Sequence, residues 1–177
     1  YKSYLDEAKI ERESVEFFIK EAESKGYTEF DNTKKYNAGD KVYFNNRNKA
    51  IILCVFGKKS IADGVKISAA HIDSPRLDLK PNPLYEDSSL AYFKTHYYGG
   101  VRKYQWTTIP LALHGVVTKA DRTTVTVNTG EDAGDPVFCI SDLLPHLAKD
   151  QAQKTLAQAF TGEGLNIMVC SSPFIDE

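Results

Sequence analysis

The sequence predicts an α/β fold in which a helix lies over a few buried strands and a longer run of short antiparallel strands follows. Three observations carry that expectation. Apolar residues recur at helical spacing between Tyr4 and Lys25. Two β-type runs, Lys41–Phe44 and Ala50–Phe56, come next. Past Pro75 the texture changes to short β-branched and aromatic runs broken by Pro, Gly, Asn and Asp. A helix followed by buried strands points to a layered domain rather than a helical bundle, and the change of texture places a boundary near residues 75–80.

In order along the chain, Leu5, Ala8, Val15, Phe18, Ile19 and Ala22 make the inner stripe of one amphipathic helix, and Gly26 supplies its stop. The runs Lys41–Phe44 and Ala50–Phe56 flank Asn45-Asn46-Arg47-Asn48, a turn-rich tetrapeptide that predicts a hairpin. The second run is apolar on both faces and is expected to be central in a covered sheet. Asp63-Gly64 makes the next turn, and Val65–Ala70 is expected as a strand ending at His71. Leu77–Lys80, Leu90–Tyr98, Ile109–Val117, Thr123–Val127 and Val137–Ile140 read as strands of an antiparallel sandwich or barrel. Ser141–Leu147 reads as a short helix with Ser141 at its N-cap, Lys149–Gln158 as a second helical stretch, and Leu165–Cys170 as a closing strand.

Composition narrows the function. With 177 residues, 42% hydrophobic and 26% charged, the chain has the make-up of a folded globular protein. A net charge of −2 and no long run of Lys or Arg argue against nucleic acid as a partner. No window reaches the ~18 apolar residues of a membrane span. Cys54, Cys139 and Cys170 are widely spaced, lack CxxC pairing and sit in apolar stretches, so they are expected to be buried thiols in a reducing, cytoplasmic setting. The only methionine is Met168, and the chain is expected to be a piece of a longer protein.

The stretch with the most chemistry is Ala70-His71-Ile72-Asp73-Ser74-Pro75-Arg76. Side chains two apart on an extended chain share a face, so His71 and Asp73 are expected to point the same way from a strand's end. A carboxylate that accepts the ring N–H fixes the tautomer and makes the other nitrogen a better metal ligand. The plain alternative is a hydrogen-bonded surface histidine. Ser74 lacks the Gly-x-Ser-x-Gly elbow of a nucleophile, and Gly99-Gly100 lacks the Gly-Lys-Ser/Thr that would complete a phosphate loop. Arg102, Lys103, Tyr104 and Trp106 read as packing and subunit contact, and His96 and His146 as structural histidines.

Tyr97-Tyr98-Gly99-Gly100-Val101-Arg102-Lys103-Tyr104-Gln105-Trp106 is followed by Ile109-Pro110-Leu111-Ala112-Leu113-His114-Gly115-Val116, Asp142-Leu143-Leu144-Pro145-His146-Leu147 and Thr161-Gly162-Glu163-Gly164-Leu165-Asn166. Together with the His71 stretch, these segments closely resemble, in the same order, the aspartyl and vacuolar aminopeptidase family of dinuclear zinc exopeptidases. The resemblance implies a zinc-exopeptidase-type catalytic domain begun by residues 1–76, an inserted β-rich dimerisation domain over 77–170, and a return towards the catalytic domain at 171–177. It implies peptide substrates, two Zn2+ ions per complete site and a homodimer that builds larger homo-oligomers. On the same ground His71 is the first zinc ligand, Asp73 the carboxylate that orients it, and His114 the histidine that reaches into a neighbouring subunit's active site. One imidazole does not hold zinc, since catalytic sites take about three protein ligands, so this stretch alone is expected to be inactive. Two other readings keep the same residues: an assembly module in which His71 is idle, and a metal-dependent hydrolase of another small amide.

Overall fold

The computed structural model describes residues 1–172, which form a mixed α/β structure with small sheets. The chain divides after Ser74 into two compact units. The return expected at 171–177 falls largely on residues 173–177, outside the described residues.

In the first unit the single helix expected over residues 4–25 is two, α1 (Lys2–Glu7) and α2 (Glu11–Ser24). The break has a local cause. Glu13 turns its carboxylate back to accept the backbone N–H groups of Lys9 (2.7 Å) and Ile10 (3.2 Å), so a new helix starts where the old one would have continued. The Tyr4 ring then packs on Phe17 and Phe18, with centroids 5.3 and 5.1 Å away. The far end of α2 closes as a Schellman motif: Gly26 takes φ +82°, its N–H donates to Glu23 and that of Tyr27 to Ala22. Lys41 adds its Nζ to the Lys25 carbonyl at 3.0 Å.

The sheet beneath α2 has the order β1 (Thr28–Glu29), β2 (Lys41–Asn46), β3 (Ala50–Val55), with β1 parallel to β2 and β2 antiparallel to β3. The expected hairpin is present, its turn made by Arg47 and Asn48, both at positive φ as a type I′ turn demands. Ser14, Val15 and Ala22 of α2 are buried, as are Val42 and Tyr43 of β2. The Tyr43 hydroxyl donates to Glu23 at 2.9 Å, and that bond to a carboxylate, with burial, raises the phenol above its usual range. β3 is not the covered central strand its apolar run predicted. It pairs on one side only among the described residues, and Ile52, Leu53 and Val55 are exposed. Nor do the cysteines lie buried as expected: Cys54 and Cys170 are exposed and Cys139 is half-buried.

The second unit is built on β5 (Leu90–Tyr98), flanked antiparallel by β4 (Arg76–Asp87) and β8 (Ile167–Cys170). β4 runs further than expected, through Pro81 and Pro83. Proline has no N–H for the ladder, and the register accordingly jumps between Leu79 and Leu84. β6 (Leu113–Thr118) and β7 (Thr124–Thr129) form a separate hairpin, and single bridges from Leu111 to Phe138 and from Cys139 to Met168 connect its flanks towards β8. Ile140, Leu165 and Ile167 are the buried centre, with Leu77, Phe93, Trp106, Leu111 and Phe138 around them. Thr95 of β5, itself buried, donates its hydroxyl to the Leu165 carbonyl. The helix expected at Ser141–Leu147 is absent. Asp142 spends its carboxylate on the Leu143 N–H and the Gln151 amide, Pro145 ends any helical ladder, and only a turn closes from Leu144 to Leu147 and Ala148. The second helical stretch is reduced to a 3-10 turn at Gln151–Gln153 and α3 (Leu156–Ala159), whose Gln158 side chain accepts from Thr155.

Truncating Leu165 to Ala, at a side chain 1% exposed, is expected to cost about 2–5 kcal/mol in urea denaturation, whereas Leu156→Ala, 61% exposed, should stay within about 0.5 kcal/mol. Lys80 donates to Glu163 at 2.6 Å and holds that carboxyl below its ordinary range. A depressed carboxyl favours the fold above its ordinary range and loses that contribution as pH falls through the lowered value. Lys80→Ala should therefore move the Glu163 titration upward in a carboxyl NMR experiment.

Candidate functional site

The strand expected over Val65–Ala70 does not form. After the 3-10 turn Ile61–Asp63 and Gly64 at φ +105°, the chain runs to Pro75 without a ladder. No strand among the described residues pairs with residues 65–70, and that run stays in contact with water. Residues 65–71 are exposed, and only from Ile72 to Ser74 is the backbone partly covered.

His71 and Asp73 still meet, though a loop and not strand alternation brings them together. His71 Nδ1 lies 3.0 Å from the Asp73 carbonyl and 3.2 Å from its carboxylate. Both oxygens accept, so in the neutral ring Nδ1 carries the proton and Nε2 keeps the lone pair. The imidazole is 83% exposed, which leaves that lone pair open to a group outside it. The Ile72 peptide ties the loop to the unit's interior: the Ser14 hydroxyl, on α2, donates to the Ile72 carbonyl at 3.3 Å and lies 3.1 Å from the Tyr4 hydroxyl.

In the second unit His114 stands on β6 opposite Asn128 of β7. Its Nε2 lies 3.1 Å from Glu131, with the imidazole 9% exposed. Glu131 begins a clamped turn. The N–H groups of Gly130 and Asp132 both reach the Asp135 carboxylate, at 2.8 and 3.4 Å, and the Asp135 N–H returns to Asp132. Gly130 takes φ +108°, and a Cβ there would stand 2.9 Å from Ala112 Cα. Glycine is therefore required on two counts.

Other residues singled out in the sequence have structural surroundings. Trp106 packs on the Ile140–Leu165 core and Lys103 lies over the Tyr97 ring. His96 stacks on Tyr97 with centroids 5.6 Å apart. Gly99 turns at φ +78° towards Val101, whose N–H donates back to it. The sequence reading missed Ser14, Tyr4 and Glu131. Ser14 carried a signal, a hydroxyl four residues before Phe18 and eight before Ala22 on the apolar stripe. Glu131 carried none, because strand periodicity ends before it.

No three His, Cys, Asp or Glu side chains come together among the described residues in a way that holds a metal. His71 offers one nitrogen and Asp73 orients it. Against the roughly three protein ligands that zinc requires, the described residues do not by themselves fit the ion. Among the described residues no helix is long and apolar enough to cross a membrane.

Comparison with known proteins gives consistent results. The family model for the aminopeptidase I zinc metalloproteases (M18) matches residues 4–172. A probable M18 family aminopeptidase 1 of Clostridium acetobutylicum is 51% identical over 99% of this chain and 39% of its own length. The crystal structure of an M18 aminopeptidase from Thermotoga maritima superposes with a TM-score of 0.89 at 40% identity, over 99% of this chain and 38% of that one. That of aminopeptidase I from Clostridium acetobutylicum gives 0.81 at 47%, over 97% and 38%. The chain thus spans about two fifths of the length of these relatives.

Gly130→Ala should destabilise the chain by more than about 1 kcal/mol in urea denaturation, since alanine at that positive φ is strained and its Cβ meets backbone rather than a movable side chain.

Proposed function

Because the chain belongs to the aminopeptidase I zinc metalloprotease (M18) family, we propose that it supplies the His71-bearing part of an enzyme that hydrolyses the N-terminal residue from peptides with zinc as cofactor. The observation that carries this reading is the His71–Asp73 contact at 3.2 Å inside the matched stretch. His71 takes one metal position through Nε2, and Asp73 keeps Nδ1 protonated and the ring turned. The other ligands of a two-zinc site, and the general base, come from polypeptide outside this segment. Residues 1–76 begin a layered catalytic domain. Residues 77–170 form the inserted domain through which the protein dimerises and builds larger homo-oligomers, and there His114, steadied by Glu131, is contributed to the neighbouring subunit's site.

Two observations support that assignment. The uncovered apolar side chains of β3, Ile52, Leu53 and Val55, suit a strand on which further polypeptide packs. Three unpaired thiols, two of them exposed, suit a cytoplasmic, reducing setting.

The test uses a longer polypeptide carrying this segment. It should release N-terminal residues from peptides, lose that activity to a chelator and regain it with zinc. Asp73→Asn should lower kcat/KM by about 10–100-fold, and His71→Ala by more. Activity indifferent to chelator, or to the loss of His71, overturns the proposal.

A further inference from the structure

The His71 loop joins no sheet among the described residues, and the peptide between its two functional side chains is reached by a hydroxyl from α2. We propose that Ser14, set in turn by Tyr4, is the positioning residue of the His71–Asp73 pair: a relay of two hydroxyls on α1 and α2 pins the Ile72 carbonyl. The direction of the relay follows from its last member. A carbonyl only accepts, so the Ser14 hydroxyl must donate to Ile72 and thereby offers its own lone pair to the Tyr4 hydroxyl.

The rest of the surroundings agree. Ser14 is 1% exposed, in the first turns of α2, and its backbone N–H already closes onto the Ile10 carbonyl at 3.0 Å. A helical serine ordinarily turns its hydroxyl to water or to the carbonyl four residues back. This one reaches a residue 58 positions away in sequence. Tyr4 has little freedom to leave it, since its ring is lodged against both Phe17 and Phe18. At 3.3 Å the final bond is long for a hydroxyl donor and contributes little stability by itself. Its effect is directional. Ile72 is the one residue between the histidine and the aspartate, and holding its carbonyl sets the peptide plane that joins them. Should the peptide swing, the Asp73 oxygens move away from Nδ1, and the tautomer that leaves Nε2 unprotonated loses its support. The relay itself stands on this geometry; only its consequence for catalysis rests on the function proposed above.

The experiment follows acylation of individual histidines by diethylpyrocarbonate, read by peptide mass spectrometry on the chelator-treated chain. A carboxylate on Nδ1–H strengthens Nε2 as a nucleophile, so Ser14→Ala should slow modification of His71 several-fold, and Tyr4→Phe should slow it less. His96 and His146, in the other unit, are internal references and should keep their rates. Val15→Ala, at a neighbouring side chain with no exposed surface, removes buried volume but leaves the relay intact. It should lower stability without altering His71. Equal His71 rates in the wild type, Ser14→Ala and Tyr4→Phe overturn the proposal, as does a Val15→Ala chain slowed as much as Ser14→Ala. Where Ser14→Ala fails to fold, Tyr4→Phe decides alone. In the longer polypeptide Ser14→Ala should lower kcat about tenfold with little change in KM. Altered His71 reactivity with untouched activity would leave the relay standing and overturn its consequence for catalysis, while the role of His71 itself is decided by His71→Ala.

Discussion

A backbone N–H or C=O taken out of water must find a partner, and this requirement decides which apolar runs of the chain become buried strands. β5 finds partners on both sides, and around it Ala91, Thr95, Leu165 and Ile167 are buried. Among the described residues β3 carries a run at least as apolar but has a neighbour on one side, so its side chains remain wet. Residues 65–70 have no strand neighbour among the described residues and make no strand. Hydrophobicity proposes a strand in each of the three places, and the supply of partners selects among them.

The same requirement shapes the candidate site. A loop without a ladder needs other fixings, and among those at His71 are one carbonyl and one carboxylate from Asp73 on Nδ1, and one hydroxyl from α2 on the intervening peptide. His114 shows the opposite arrangement. It stands in a paired strand, nearly buried, and its carboxylate comes from a turn clamped by Asp135. Each imidazole has one nitrogen against a carboxylate, but on opposite ring atoms: Nδ1 in His71 and Nε2 in His114. In their neutral forms the two rings therefore leave different nitrogens unprotonated.

What the sequence disclosed and what it hid follow from the range of each signal. The β2–β3 hairpin, the helix stop at Gly26 and strands at Leu77–Lys80 and Leu90–Tyr98 were legible, because turn residues and alternation act over a few positions. The His71–Asp73 meeting was legible too, although the mechanism inferred for it, strand alternation, is not the one present. The break at Ala8–Ile10 was not, since it depends on a glutamate carboxylate folding back. The helix at 141–147 was over-read because a good N-cap residue and a leucine pattern outweighed the cost of Pro145 in its interior. The exposure of β3 lay beyond any local reading, for it depends on whether the strand has a second neighbour and not on its own residues.

That exposure bears on how the chain behaves in a tube. Ala50–Val55 carries no charge, no proline and no bulge to blunt its outer edge, and those are the devices by which edge strands are kept from adding to one another. Such an edge is a template for strand addition by another copy, so self-association of the isolated 177 residues would be governed by concentration as well as temperature. A charge placed outward on β3 would act as a gatekeeper there, without touching either histidine.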